Sequence, residues 1–199
     1  MDESEDIQRI KQRDWQGLEA LIERYQLRAV RAAYLVIGDR AEAEDVVAEA
    51  FYRVWGQIDQ FDSTRPFAPW FFTLVLNAAR RAVSRSARFI DIPEEDPEGT
   101  TFSDQTISSP EDEIIQAESE AAVRQALTRL SPNQRVVIIQ QYYLGWTLEQ
   151  MAMQGNHPLG TIKWRLHQAR NRLRSWLSQE MEDRTSSNRN KKRSKNVSE

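Results

Sequence analysis

Trp70, Asn77, Arg81, Arg85 and Arg88 follow one another at intervals of seven, four, four and three residues, which on a helix places all five along one side. Guanidinium groups hold phosphates, an amide can bond a base edge, and a flat aromatic can stack on an exposed base. The set therefore suits a strand of nucleic acid. No Glu stands four residues from these arginines to neutralise them, and the plainer alternative is a core tryptophan beside solvated cations. A second set, Lys163, Arg165, Arg170, Arg172 and Arg174, runs from 163 to 174 without an acid. Ile162, Leu166, Ala169, Leu173, Trp176 and Leu177 keep a narrow apolar stripe through it, and Trp164 projects opposite that stripe. Such a helix can enter a major groove and meet phosphates on both walls, the alternative being an ordinary basic surface helix. Asp45, Glu49 and Arg53 form a third set at four-residue spacing, for which a solvated salt-bridge ladder is the simplest account on spacing alone.

Catalytic chemistry finds little to work with. His157 and His167 are ten residues apart and suit a turn and a groove better than a metal or an acid/base pair. No phosphate-cradling glycine loop and no Ser–His–acid set is evident, so no catalytic residue, metal or cofactor is expected. The absence of cysteine removes disulfides, thiolate zinc sites, iron–sulfur clusters and a cysteine nucleophile.

The elements that must position these side chains read as helices throughout. Leu18, Leu21, Ile22 and Tyr25 share one face of a helix that continues through Val30, Ala33 and Tyr34 until Gly38 stops it. Asp39 then caps a helix whose apolar stripe is Val46, Val47, Ala50, Phe51 and Val54, with Glu42 three residues on and Glu44 and Asp45 near its positive end. Pro66 and Pro69 break the pattern between Phe61 and the helix at about 70–88, whose core face is Leu74, Val75, Ala78, Ala82 and Val83. Ser109-Pro, Ser131-Pro and Thr147-Leu-Glu-Gln are three further helix starts. Ile114, Ala117, Ala121, Leu127 and Leu130 pattern one of these helices, and Val136, Val137, Ile138, Ile139 and Tyr142 crowd the next as a buried one. A short helix at 148–153, the turn Gln154-Gly-Asn-His-Pro, and a long helix at 159–177 have the layout of a helix-turn-helix.

With 199 residues and 40% hydrophobic content, the chain suits one large or two small domains, with enough apolar residues for real cores. Its net charge of −3 weighs against nucleic acid only if charge is evenly spread, and it is not. Residues 91–120 hold eleven acids and no Lys or Arg, so the other 27 cations face 19 acids, a balance of +8. The class is all-α. Two helical domains at 7–90 and 111–178 are joined by an acidic flexible linker at 91–110 and followed by a basic, disordered tail at 179–199. No stretch nears the roughly 18 apolar residues of a membrane span, and the N-terminus is acidic where a secretory signal is basic. A soluble, cytoplasmic protein without membrane insertion is expected.

Four segments together carry a family likeness: Ala43-Glu-Asp-Val-Val-Ala-Glu-Ala-Phe-Tyr-Arg-Val-Trp55, Trp70-Phe-Phe-Thr-Leu-Val-Leu-Asn-Ala-Ala-Arg80, Leu130-Ser-Pro-Asn-Gln-Arg135 and Gly160-Thr-Ile-Lys-Trp-Arg-Leu-His-Gln-Ala-Arg170. In order and spacing they resemble the small two-domain, extracytoplasmic-function (ECF) sigma factors of bacterial RNA polymerase. The resemblance implies that Glu44, Asp45, Glu49, Tyr52, Arg53 and Trp55 dock on the clamp helices of the polymerase's largest subunit. It implies that Phe61, Arg65, Phe67, Trp70, Asn77, Arg80, Arg81, Arg85 and Arg88 recognise and melt the minus-ten element, holding a flipped base of the non-template strand. Thr161, Lys163, Trp164, Arg165, His167, Gln168, Arg170 and Arg172 would read the minus-thirty-five element as duplex. It further implies contact with the polymerase flap, a linker threading toward the RNA exit path, an anti-sigma partner, and work at the nucleoid. Ala48 departs from a usual glutamine, Gly155-Asn-His157 from Leu-Gly-Ile, and Trp164 and Gln168 from a typical serine and arginine, so promoter letters do not carry over. A dimeric helix-turn-helix regulator would explain 131–177 but leave the 44–55 and 70–88 helices idle. A DNA nuclease or recombinase would lack its catalytic groups.

Overall fold

The computed structural model describes residues 3–89 and 122–195, with backbone alone at 86–89, 177 and 179–195. The acidic linker at 91–110 and the helix start at Ser109 lie outside the described residues. Within them the chain is helical, with no strand.

Helix α2 (Trp15–Ile37) begins where the Asp14 side chain accepts from the Gln16 N–H, and it ends at Gly38, whose φ of 89° is a left-handed cap that most side chains avoid. Asp39 starts α3 (Arg40–Gln57) by accepting from the Glu42 N–H at 2.8 Å, so two local signals turn the chain back on itself. A 3-10 turn (Ile58–Gln60) and an exposed loop lead into α4 (Phe67–Phe89), with Pro69 in its first turn where no N–H is needed. Helix α2 is the hub against which α3 and α4 pack. Of the face expected from spacing, Leu18, Leu21, Tyr25 and Ala33 are buried and Ile22, Val30 and Tyr34 half-buried, while Ala29, Ala32 and Val36 complete the buried stripe. Small alanines let the helices approach closely, and an aromatic cluster of Tyr25, Phe51, Phe67, Phe71 and Phe72 fills the centre. Each favourable ring pair adds about 0.5–1.5 kcal/mol beyond area burial.

A further helix, α1 (Glu3–Lys11), has no counterpart in the periodicity reading. Only Ile7 and Ile10 mark its apolar side, and both are buried against the hub.

In the C-terminal half, α5 (122–128) leads to a capping box at Ser131 that opens α6 (Pro132–Ile138). The helix then widens into a π turn, Ile139–Tyr143. That widening corrects one expectation: Val137, Ile138 and Ile139 are buried, but Tyr142 is 63% exposed. A π turn lengthens the local repeat and rotates later residues off the buried face. Thr147 caps α7 (Leu148–Gly155) with its own capping box, and Asn156, at φ 49°, turns the chain into α8 (Leu159–Lys195). Helix α8 runs past 178, where a structureless tail was expected; no Gly or Pro follows Gly160 to stop it.

The two halves share one apolar interior. Helix α6 packs on α2 and α4, and α7 packs on α4. The Arg135 guanidinium donates to the carbonyls of Leu130 (3.0 Å), Thr128 (2.9 Å) and, across the seam, Val36 (2.8 Å). Burial pushes its pKa down, and the three carbonyl partners meet the need of a cation taken out of water. Arg28 donates to the Leu144 carbonyl, Tyr143 to the Arg28 carbonyl, and Arg124 to the Tyr34 hydroxyl.

Candidate nucleic-acid interface

Helix α4 turns Val75, Leu76, Ala78, Ala79 and Ala82 inward, so its opposite side is left for Asn77, Arg81 and Arg85. Arg81 and Arg85 are exposed, Asn77 and Arg80 are half-buried, and the Arg88 side chain lies outside the described residues. The aromatic end differs from the sequence expectation. Phe61 is 4% exposed and Phe67 is sealed, stacked on Phe71 with ring centres 5.6 Å apart. As placed, neither presents a face to a base: Phe67 packs against Tyr25 and Phe71, and Phe61 packs edge-on against Phe67. Trp70 lies half-buried on both of them, at 4.9 Å from Phe61 and 5.6 Å from Phe67. The loop before α4 is held by Asp62, which accepts from the Thr64 hydroxyl (2.6 Å) and N–H (3.0 Å) and pairs with Arg65 at 3.3 Å. Those Thr64 bonds hold the Asp62 carboxyl below its ordinary range, helped by Arg65 and Lys11.

On α8, Ile162, Leu166 and Ala169 are buried against the rest of the C-terminal half, as the stripe required. Lys163, Trp164, His167, Arg170 and Arg172 are exposed, and Thr161, Arg165 and Gln168 are half-buried. Trp164, at 61% exposure, offers a bare indole to whatever approaches. Arg170 is engaged by partners that spacing did not reveal: it donates to the Tyr142 hydroxyl (2.9 Å) and to Gln141 Oε1 (2.8 Å) and lies over the Tyr142 ring. Tyr142 faces outward because of the π turn, which is a signal sequence spacing does not carry. Arg172 reaches Gln134 at 3.5 Å, and His167 shares a contact with Asn171 at 3.0 Å. His157 lies in the turn, and burial first, then the charges of Arg165 on α8 and Arg80 on α4, lower its pKa from the ordinary 6.5.

Helix α3 presents a different surface. Glu44, Asp45, Glu49 and Tyr52 are exposed, Tyr52 at 77%, while Arg53 and Trp55 are half-buried. Glu49 pairs with Arg53 and Glu44 with Arg40 at 3.0 Å, so part of the expected ladder is present. Beside it, between α2 and α3, opens a largely apolar groove of about 440 Å³ lined by Trp15, Ile22, Val47, Phe51, Tyr52 and Trp55. Trp15 packs edge-on against Trp55 with ring centres 5.7 Å apart, and pattern reading had not singled it out. Among the described residues there is no group of three His, Cys, Asp or Glu that could hold a metal, and no helix long and apolar enough to cross a membrane.

Comparison with known proteins accounts for this arrangement. The Sigma-70 region 2 family matches residues 21–89, and the Sigma-70 region 4 family matches 120–173. The ECF RNA polymerase sigma factor SigL of Mycobacterium tuberculosis H37Rv is 36% identical over 151 residues, covering 75% of this chain and 82% of SigL. SigW of Bacillus subtilis, another ECF sigma factor, is 28% identical over 176 residues, covering 86% of this chain and 94% of SigW. Among solved structures, CnrH in complex with the cytosolic domain of CnrY shares the fold with a TM-score of 0.64 at 21% identity, over 88% of this chain and 97% of that one. RpoE of Bartonella quintana, solved with the anti-sigma factor NepR, shares it with a TM-score of 0.59 at 24% identity, over 80% and 96%. The two cationic helices and the acidic, aromatic helix between hub and loop thus fall within two matched regions in family order, and the chain belongs to the ECF RNA polymerase sigma factors of the sigma-70 family.

Proposed function

We propose that three exposed faces divide the work of a sigma factor between them. Family membership makes the chain a transcription initiation factor that binds core RNA polymerase and promoter DNA, and not an enzyme. The α3 face of Glu44, Asp45, Glu49 and Tyr52, with Arg53 and Trp55 at its edge, would dock on the polymerase clamp helices. The α4 side of Asn77, Arg80, Arg81 and Arg85, continued by Arg88, would hold the melted minus-ten strand, with Trp70 and the Arg65 loop at its base-capturing end. Phe61 and Phe67 support that end from below. The outward side of α8, from Thr161 to Arg172, would read minus-thirty-five duplex. Contact with the polymerase flap, restraint by an anti-sigma factor and action in the cytoplasm at the nucleoid complete the reading.

The observation that carries it is the separation of the faces: α4 and α8 each bury one apolar stripe and leave arginines outward, while α3 keeps acids and an exposed tyrosine outward. Cations suit DNA, and an acidic, aromatic surface suits protein. The test adds the purified chain to core polymerase and measures open complexes on a promoter library. Open complexes at a sequence-defined subset are expected; tight duplex binding by the chain alone with no core binding would overturn the reading. Changing Arg81 and Arg85 together to Ala is expected to impair melting more than core binding. Each lost phosphate contact on a single strand should flatten the salt dependence by about 0.7 in log–log slope.

A further inference from the structure

Helix α1 lies wholly outside the segment that matches region 2, yet it is built into the fold at some cost in sequence freedom. A Cβ on Gly17 would stand 2.4 Å from the Asp6 carbonyl oxygen and 2.8 Å from the Arg9 Cβ, so only glycine lets α1 lie this close to the hub. Asp6 is fully buried there, its Oδ2 accepting from Arg24 at 3.1 Å, and Tyr25 bonds Glu3. A helix seated this firmly is a fixed platform.

What the platform carries is at its far end. Arg13 takes a left-handed φ of 63° and closes the helix, its N–H bonding the Ile10 carbonyl at 2.9 Å. That closure aims two cations about fifty residues along the chain. Lys11 Nζ donates to Ser63 Oγ at 2.7 Å and to the Phe61 carbonyl at 3.3 Å. Arg13 donates to the Trp55 carbonyl at 2.7 Å and to Asp59 Oδ2 at 2.8 Å. Between them they grip the end of α3, the 3-10 turn and the first half of the loop that leads into α4. Residues 62–66 are all exposed, so this loop has almost no burial of its own to define its shape. Its internal bonds from Thr64 to Asp62 shape the tip but do not tie the tip to the bundle.

We propose that α1 is a positioning element for promoter melting: Lys11 and Arg13 fix the 58–64 turn and loop in the shape that receives an unstacked base, so that the ordering entropy is lost on folding and not on DNA capture. A loop already held in its binding shape binds more tightly than one that must be ordered at the moment of contact. This inference rests on the reading of that loop as the minus-ten capture loop, and it makes Lys11 and Arg13 positioning residues that act through the loop.

The test uses holoenzyme formed from core polymerase and the full chain. Lys11→Met removes the ammonium, and Arg13→Asn removes the guanidinium while keeping a residue that tolerates the left-handed conformation. The double variant is read by thermal melting, core affinity, open-complex rate, and the fluorescence of 2-aminopurine placed at successive positions of a single-stranded minus-ten oligonucleotide. A third variant replaces residues 62–65 with Gly-Ser-Gly-Ser to test the loop itself. The expected result is a drop of about tenfold in oligonucleotide affinity and opening rate, the size set by losing bonds from charged donors. Melting temperature and core affinity stay unchanged, and Lys11→Arg retains the unmodified behaviour. Opening within twofold of the unmodified chain, where the loop replacement abolishes it, overturns the role of α1. Opening unaffected by the loop replacement overturns the loop reading itself, and α1's role with it.

Discussion

The two cationic helices solve the same electrostatic problem with opposite relations to the core. On α8 the buried stripe and the outward face are separate sets: Ile162, Leu166 and Ala169 hold the helix, and Lys163, Trp164 and His167 could all be changed without opening a cavity. On α4 the sets interlock. Trp70 rests on Phe61 and Phe67, and Phe67 in turn rests on Tyr25 and Phe71, so the aromatic end of the face is the outer layer of the core. Intact duplex presents a regular groove that a rigid helix can enter without deforming. A strand pulled from its stack has to be received by a shaped surface, and here the shape comes from packing.

That contrast is open to attack from both sides. Phe67→Ala should have the largest effect, about 3–5 kcal/mol of lost stability from the cavity it leaves, seen as a lowered urea midpoint and accompanied by loss of promoter opening. If opening were lost with stability intact, the interlock would be wrong and Phe67 would touch DNA itself. Trp164→Ala should leave the urea midpoint unmoved and cost about 1–3 kcal/mol of discrimination at a single base-pair position of the minus-thirty-five element, measured by competition binding of holoenzyme. A matching loss of stability would place Trp164 in a core that the structure denies it. The smallest effect concerns His157, exposed in the turn between α7 and α8. Its pKa is depressed in the fold, so the unfolded chain binds the proton more readily. Stability from the neutral ring is present above about pH 6.5 and falls as pH drops below it, because the charged ring loses hydration in the fold and is then repelled by Arg165 and Arg80. His157→Gln should flatten that part of a plot of urea midpoint against pH.

Legibility in the sequence followed how local each cause is. Gly38, Asp39, Ser131 and Thr147 act within four residues, and each begins or ends the helix it was expected to. The buried stripe of α3 was equally plain, since one period fixes one face, and those of α2 and α8 were plain in part, with Ile22, Val30, Tyr34, Leu173 and Trp176 only half-buried. Phe61 and Phe67 were misplaced because an aromatic beside cations is written the same way whether it stacks a base or fills a core. What decides is the ring of Tyr25, far away in sequence on α2, which meets Phe67 and Phe71 together. Tyr142 was misplaced by a change of helical repeat, and its hold on Arg170 spans 28 residues. Helix α1 escaped notice because nine residues with two isoleucines make a weak stripe, and the glycine that seats it is on another helix.

Four of the bonds that tie distant parts of this chain together share one form: Arg135 to the carbonyl of Val36, Arg28 to that of Leu144, Arg13 to that of Trp55, Lys11 to that of Phe61. A carbonyl belongs to the main chain and survives any substitution that keeps the backbone path. The acceptor side of each tie is therefore mute to mutation, and the donor side holds the whole of its heritable information. A lineage could drift at Val36 or Leu144 and keep these hydrogen bonds, whereas one codon change at Arg135 or Lys11 would remove the tie with nothing on the other side able to compensate.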